Sequence, residues 1–311
     1  MTGSSGFIGA NLARRLLLDG HDVYLIVRPG FNPWRITDIR ESVHLYEVDL
    51  RDAARLEQTI RQVAPQWVFH LAVNGAYSWQ NNVADIMQTN FQGTVNLVEA
   101  CLKIGFETLV NTGSSSEYGL KNYAPAETEW LEPNSYYAVS KASATLYCRF
   151  AAQHFGVQIP TLRLYSVFGP LEDRKRLLPT VIISGLHHTL PPLVEPEIGR
   201  DFVFVDDIVD AYILAAMTQG KEAGPVYNVG SGVQTTIRQV VDYARQVLGI
   251  REAPQWGSLP NRGWDTTQWV ANPEKIMKEL GWLPRFSFEE GFNRMVDWIR
   301  SHPGYQTEDT I

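Results

Sequence analysis

Apolar residues in the first half of the chain alternate between short runs and longer stretches with helical spacing. The short runs predict strands at residues 21–27, 66–72, 108–112 and 161–165. The helical spacing predicts helices at residues 53–63, 83–103 and 136–155. Because strands that alternate with helices usually pair in parallel, we expect an α/β fold with a parallel sheet covered by helices on both faces.

The pattern changes near Pro170, where the elements become shorter and richer in Pro, Gly and Trp. Helices are predicted at residues 208–217, 237–248 and 288–300. We therefore expect a larger sheet domain at residues 1–169 and a smaller binding portion at residues 170–311. The apolar run at residues 226–229 is a candidate strand that returns to the main sheet.

A glycine-rich turn opens the chain and leads directly into an amphipathic helix. Its glycines recur at every third position: Gly3, Gly6 and Gly9. Three further residues would line the same turn: Ser5, Phe7 and Ile8. Glycine lets the backbone approach a ligand closely, and a helix N-terminus offers N–H groups and a partial positive charge. The turn is therefore predicted to bind the pyrophosphate of a dinucleotide.

A dinucleotide fold normally places a hydrophobic strand before such a turn, whereas only Met1 and Thr2 precede Gly3 here. Either the recorded start is late or the domain lacks its middle strand. We favour the late start, because loss of a central buried strand would open the core.

Tyr137 and Lys141 stand four residues apart on a predicted helix, so both side chains lie on one face. A free tyrosine has a pKa of about 10, and an adjacent ammonium is expected to lower it. Such a pair can carry a proton to or from a hydroxyl or carbonyl while a hydride moves elsewhere.

These features together resemble the extended short-chain dehydrogenase/reductase family, in its nucleotide-sugar epimerase, dehydratase and 4-ketoreductase branch. The resemblance runs from Thr2 to about Trp298, with further landmarks in order at Asp49-Leu50, His70-Leu71-Ala72, Asn90, residues 113–119, Arg163-Leu164, residues 200–203, residues 227–230 and residues 262–265. It implies a Rossmann-like doubly wound parallel sheet, a smaller C-terminal α/β substrate-binding portion and a nucleotide-diphosphate sugar substrate. A homodimer through a four-helix contact of helices 83–103 and 136–155 is a further implication.

The resemblance assigns three reacting residues. Ser114 would hydrogen-bond the substrate oxygen, Tyr137 would be the general acid/base, and Lys141 would bind the nicotinamide ribose. It also places residues along the cofactor at Asp49, Leu50, Leu71, Ala72 and Asn90.

The choice of cofactor depends on the end of the second strand, where an NAD site usually has an acidic residue. Here Val27 and Arg28 occupy that place, and Arg35 follows closely. An arginine pairs with the 2′-phosphate of NADP, so NADP(H) is favoured and NAD(H) is the alternative.

The residues beside Ser114 bear on the reaction. Dehydratases of this branch carry an acid and a base there, whereas this chain has Ser115 and Ser116. Glu117 would reach the base position only if the loop held a one-residue deletion. A 4,6-dehydratase is therefore less favoured. Arg28 favours a 4-ketoreductase with exchangeable NADPH over a 4-epimerase, and a non-catalytic dinucleotide-binding regulator comes last.

Several positions are candidates for contact with the sugar nucleotide. Arg200 and Arg262 match positions that grip the diphosphate, and guanidinium forks bind phosphate oxygens in pairs. Ser166 stands where the family usually has Asn. The remaining candidates lie beside the reacting residues or in a polar loop: Asn74, Tyr77, Ser115, Ser116 and Glu117.

The composition adds mainly exclusions. A net charge of −7 without a basic run argues against nucleic acid. Two cysteines without a ligand pattern predict neither a disulfide framework nor a metal site, and they fit a reducing cytoplasm. No apolar run approaches a membrane span, so no membrane partner is expected.

Overall fold

Parallel strands form the centre of the molecule. A computed structural model describes residues 1–77, 79–218, 220, 222–261, 263 and 265–307. Strands β1 (Tyr24–Val27) and β2 (His44–Glu47) pair in parallel. The other parallel group has the order β3-β4-β5-β9, with bounds Trp67–His70, Thr108–Ser114, Thr161–Leu164 and Val226–Val229. The return of residues 226–229 to the main sheet is thereby confirmed, since Leu162 is in register with Tyr227.

Thr2 joins the two groups of strands. It forms single parallel bridges to Ile26 of β1 and to His70 of β3. Its N–H donates to the carbonyl of Phe69 at 2.9 Å, and the N–H of Ile26 donates to the carbonyl of Met1 at 2.8 Å. Beside these two residues, a groove of about 440 Å³ separates β1 from β3. Of the described residues, only Met1 and Thr2 therefore stand where the expected central strand would lie.

Helices cover both faces of the sheet. They are α1 (Phe7–Leu18), α2 (Ala53–Val63), α3 (Val83–Met87), α4 (Gly93–Ile104) and α5 (Tyr136–Phe155). A π-helical turn at Gln88–Gln92 connects α3 to α4, so the single helix predicted at 83–103 is interrupted in its middle. Helix α1 packs against α7 (Val205–Met217) over one buried cluster, whereas α2, α4 and α5 cover another.

The second half of the chain adds two small sheets and five helices among the described residues. Strand β6 (Ser166–Phe168) pairs in parallel with β8 (Phe202–Phe204), and β7 (Gly199–Arg200) pairs antiparallel with β10 (Thr235–Thr236). The helices other than α7 are α6 (Leu177–Leu186), α8 (Ile237–Leu248), α9 (Glu274–Leu280) and α10 (Phe288–Ser301). The sequence did not predict α6 or α9. In the described part of the chain, no helix has the length and hydropathy needed to cross a membrane.

Candidate active site

The opening turn has the geometry of an anion cradle. Gly3 adopts φ +70°, and a Cβ there would lie 2.4 Å from the carbonyl carbon of Leu71. A Cβ on Gly9 would lie 2.4 Å from the carbonyl oxygen of Gly3. Gly6 precedes α1 and offers no side chain to cap it, so the first N–H groups of the helix remain available. Gly3 and Gly9 have no room for a side chain, and the cradle suits a pyrophosphate.

A cleft of about 660 Å³ extends from this turn toward the second half of the chain. It brings together the candidate residues from the turn, the tyrosine helix and the substrate portion, which are Gly3, Gly6, Phe7, Ile8, Gly9, Arg35, Leu71, Tyr77, Ser114, Tyr137, Lys141, Ser166 and Arg200. A site assembled from segments this far apart in sequence was expected from the resemblance, whereas the roles of the individual residues stay predictions.

Tyr137 and Lys141 face the cleft from the first turns of α5. Ser135 caps this helix by accepting a hydrogen bond from the N–H of Ala138. Burial raises the pKa of Tyr137, and a hydrogen bond with Ser114 opposes part of that shift. Burial lowers the pKa of Lys141 to about 8. The expected lowering of the tyrosine pKa by its lysine is therefore wrong for the free protein, because burial disfavours both charged forms.

Ser114 ends β4, and its side chain is fixed by its neighbours. Its Oγ lies 2.8 Å from the Oγ of Ser116, and its N–H donates to Oε1 of Glu117 at 2.8 Å. Ser115 instead turns away, because its Oγ accepts from the indole of Trp269 at 3.2 Å. Ser114 thus lines the cleft, whereas Ser115 and Ser116 are outside its lining.

Glu117 lies in the interior and not at the substrate. It is fully buried, and its Oε2 accepts from Nε of Arg163 at 2.9 Å. Its Oε1 also accepts from the hydroxyl of Thr145 at 3.1 Å. The suggestion that Glu117 binds substrate or acts as a dehydration base is corrected by this geometry, because both of its oxygens are used within the core.

Asn90 also acts from the interior. Its amide nitrogen donates to the carbonyl of Asn74 at 2.7 Å and to Oγ of Ser140 at 2.9 Å. Its oxygen accepts from the N–H of Asn74 at 2.7 Å. Both donors of the amide are therefore occupied, and Asn90 holds the loop after β3, whereas its assignment to the cofactor stays a prediction. Asn74 belongs to that loop but does not line the cleft.

The outer cofactor residues lie beyond the lining of the cleft. Arg28 is exposed at the end of β1. Asp49 forms an ion pair with Arg51 at 2.6 Å, and hydrogen bonds from Arg51 lower the pKa of Asp49. Leu50 is buried. Ser5 and Ala72 are also outside the lining, although the N–H of Ala72 donates to the hydroxyl of Thr2 at 3.3 Å.

Arg35 lines the cleft and bonds to a distant segment of the chain. Its Nε donates to the carbonyl of Leu171 at 2.7 Å, and its guanidinium stacks on Trp34 at 4.3 Å. Burial lowers its pKa. Arg35 therefore joins the first half of the chain to the segment after β6 inside the cleft, and its assignment to the 2′-phosphate stays a prediction.

The substrate portion contributes cations that the sequence only partly revealed. Arg200 lines the cleft and forms an ion pair with Asp265. Arg262 lies outside the described residues. Lys175 and Arg176 also line the cleft, and Arg176 stacks over Tyr77 at 4.8 Å and donates to the carbonyl of Ala76 at 3.1 Å. The run of charges at residues 172–176 was the signal that could have identified them.

The geometry defines a class of protein before any comparison. A glycine cradle at the amino end of α1, a serine, a tyrosine and a lysine share one cleft of a parallel α/β sheet. This arrangement is that of a dinucleotide-dependent oxidoreductase, in which the cofactor carries a hydride and the protein moves a proton. The described residues hold no cluster of His, Cys, Asp and Glu that could bind a metal ion.

The chain belongs to the NAD dependent epimerase/dehydratase family, whose family model matches residues 1–230. It is accordingly an NAD(P)-dependent enzyme of the extended short-chain dehydrogenase/reductase type, as the resemblance implied. It is 28% identical to a UDP-glucose 4-epimerase of Mycolicibacterium smegmatis, over 97% of this chain and 98% of that protein. It is 27% identical to a dTDP-glucose 4,6-dehydratase of Streptomyces griseus, over 97% of this chain and 94% of that protein.

A solved structure has the same architecture. The UDP-glucose 4-epimerase of Thermus thermophilus, in complex with NAD, superposes with a TM-score of 0.84 at 30% identity. The match covers 96% of this chain and 97% of that one. The Rossmann-like fold expected from the sequence is confirmed.

Proposed function

We propose that this protein transfers a hydride at carbon 4 of a nucleotide-diphosphate sugar and works as a 4-epimerase with NAD. The observation that carries the proposal is the single cleft that holds Ser114, Tyr137 and Lys141 beside the glycine turn. The similarity to 4-epimerases over almost the whole chain supports this reaction above the ketoreductase favoured from the sequence.

The residues of the cleft have separate tasks in this proposal. An NAD held at the glycine turn would supply the acceptor and donor of the hydride. Tyr137 takes the proton of the sugar 4-hydroxyl and later gives it back, and Ser114 donates a hydrogen bond to the same oxygen. Lys141, as an ammonium, stabilises the phenolate and holds a ribose hydroxyl. Arg200 binds the diphosphate, because a guanidinium matches two phosphate oxygens.

Water elimination finds little support in the site. Dehydration across carbons 5 and 6 needs an acid and a base beside Ser114. The chain offers two serines there, and the nearby carboxylate of Glu117 is paired with buried Arg163. A serine hydroxyl is a weak acid at neutral pH, so the site lacks the groups for this step.

The second candidate is a 4-ketoreductase that uses exchangeable NADPH. The observation that favours it is exposed Arg28 at the end of β1, where a 2′-phosphate would meet a cation and no carboxylate. A reductase needs only one face of the sugar, and the same three reacting residues would serve it.

One panel separates these reactions. Purified protein would be incubated with UDP- and dTDP-hexoses and their 4-keto-6-deoxy forms, with and without NADH or NADPH, and products would be identified by NMR. The 4-epimerase predicts interconversion of 4-epimers with no net change in nicotinamide absorbance. Net oxidation of NADPH on keto-sugars would favour the reductase. Tyr137→Phe is the matched inactive control, with an expected loss of about 10²–10⁴-fold in turnover.

A second copy of the chain is also proposed as a partner. Helix α5 exposes large apolar side chains along one stretch, including Leu146 at 58% and Phe150 at 57% exposure. A contact of this helix and the α3–α4 helix with their copies would cover that surface. Sedimentation of the wild type and of Leu146→Glu tests it, since a homodimer predicts that the variant sediments as a monomer.

A further inference from the structure

A buried carboxyl group borders the cleft without a complete set of partners. Glu172 is only 7% exposed and lines the cleft. Among the described residues, its Oε2 has no hydrogen-bond partner. A buried carboxyl oxygen without a hydrogen-bond partner is destabilising. A bound ligand that hydrogen-bonds this oxygen would explain why Glu172 lies here.

Two hydrogen bonds and one unusual backbone dihedral constrain the chain around Glu172. The carbonyl of Pro170 accepts from the side-chain amide of Asn11 at 3.0 Å, which ties this segment to the helix of the glycine turn. The carbonyl of Glu172 itself accepts from the hydroxyl of Tyr305 at 2.7 Å. Leu171 has a φ of +70°, a conformation that a non-glycine residue keeps only when its neighbours impose it. These contacts fix the backbone of the segment that carries the Glu172 carboxyl.

The pKa of Glu172 limits the kinds of ligand group that its carboxyl can bind. Burial raises the pKa of Glu172 to about 8, although Arg176 and Arg35 oppose the shift. The carboxyl can therefore be present as the acid or as the carboxylate near neutral pH. A sugar hydroxyl both donates and accepts, so it is the group that can bind either form.

We propose that Glu172 is a ligand-positioning residue whose carboxyl binds a sugar hydroxyl in the cleft. Two sources of that hydroxyl lie within the same chemistry, namely the ribose of the cofactor and the hexose of the nucleotide sugar. The link through Asn11 places Glu172 beside the cofactor turn, and Arg176 with Tyr77 places it beside the substrate portion. This inference rests on the proposed function.

Direct binding measurements test the proposal without turnover. Dissociation constants for NAD⁺, UDP and UDP-glucose would be measured by calorimetry on the wild type, Glu172→Leu and Glu172→Gln. We expect Glu172→Leu to weaken binding of the affected ligand on the order of tenfold and Glu172→Gln to weaken it about threefold or less, because an amide still bonds a hydroxyl. A loss for NAD⁺ identifies the ribose. A loss for UDP-glucose that is absent for UDP identifies the hexose.

Glu127→Gln is the matched control. Glu127 is also a partly buried carboxyl with a raised pKa, but it accepts from the N–H of Asn228 and does not line the cleft. It should leave all three dissociation constants unchanged. Affinities of both Glu172 variants within twofold of the wild type would overturn this inference alone. A wild-type chain that binds none of the three probes would contradict the proposed function and this inference with it.

Discussion

Substitution of Arg163 should destabilise the protein, because it breaks a buried ion pair with Glu117. Nε of Arg163 lies 2.9 Å from Oε2 of Glu117, and the two side chains are 3% exposed for Arg163 and 0% for Glu117. The guanidinium also donates to the hydroxyl of Tyr118 at 2.8 Å. Arg163→Met removes the cation and leaves the carboxylate of Glu117 in the core with only neutral donors.

The size of the effect follows from burial. Breaking a buried pair by removing one partner costs about 3–5 kcal/mol, because an unpaired charge stays in a medium of low polarity. Glu117→Leu combined with Arg163→Met removes both charges and is expected to recover most of that loss. The double-mutant cycle should therefore show a coupling energy of about 2 kcal/mol or more.

Urea unfolding followed by fluorescence measures these differences. The control is the exposed pair of Arg238 and Glu197, 3.0 Å apart, where Arg238→Met should cost less than about 1 kcal/mol. The reasoning is refuted if Arg163→Met costs no more than this surface control. It is also refuted if Glu117→Gln leaves stability unchanged but abolishes product formation, since that result would make Glu117 a reacting group after all.

Two further predictions concern the cleft. Lys141 is buried and its pKa falls from 10.5 to about 8, which corresponds to about 3 kcal/mol of disfavoured charge. At pH 7 Lys141→Met should therefore raise the free energy of unfolding of the ligand-free protein. This gain should shrink as the pH rises from 8 to 10.5, because the wild-type ammonium then loses its proton in the folded state before it does so in the unfolded state. A gain that stays constant in urea titrations across that range would contradict the prediction. Arg28→Asp should weaken NADP⁺ relative to NAD⁺ by about fivefold in calorimetry, and an unchanged ratio would show that Arg28 does not meet the 2′-phosphate.

Local sequence patterns predicted the parts of the site that depend on short-range geometry. The bounds of the helices at residues 53–63, 136–155 and 237–248 agree with α2, α5 and α8, because their apolar spacing and caps are encoded within each segment. The glycine turn follows the same logic, since close approach of Leu71 to Gly3 excludes any side chain at that position.

The parts that the sequence did not reveal depend on partners distant along the chain. The bond from Arg35 to the carbonyl of Leu171 spans 136 residues, and no local pattern announces it. The pairing of Glu117 with Arg163 arises because β4 and β5 are adjacent, with Gly113 in register with Arg163. From residue type alone, Glu117 was a possible base. In the folded sheet its carboxylate is paired with Arg163.

The electrostatics of the free cleft bear on when the reaction can begin. Burial moves the pKa of Tyr137 upward and that of Lys141 downward, so the charge-separated state of phenolate and ammonium is disfavoured in the ligand-free protein. Proton transfer from a sugar hydroxyl to Tyr137 needs Tyr137 as the phenolate and Lys141 as the ammonium. An oxidised nicotinamide supplies positive charge when bound, and it would act on a phenol that the protein alone holds neutral. The pKa of Tyr137 should therefore fall when the cofactor binds, whereas folding alone should not lower it.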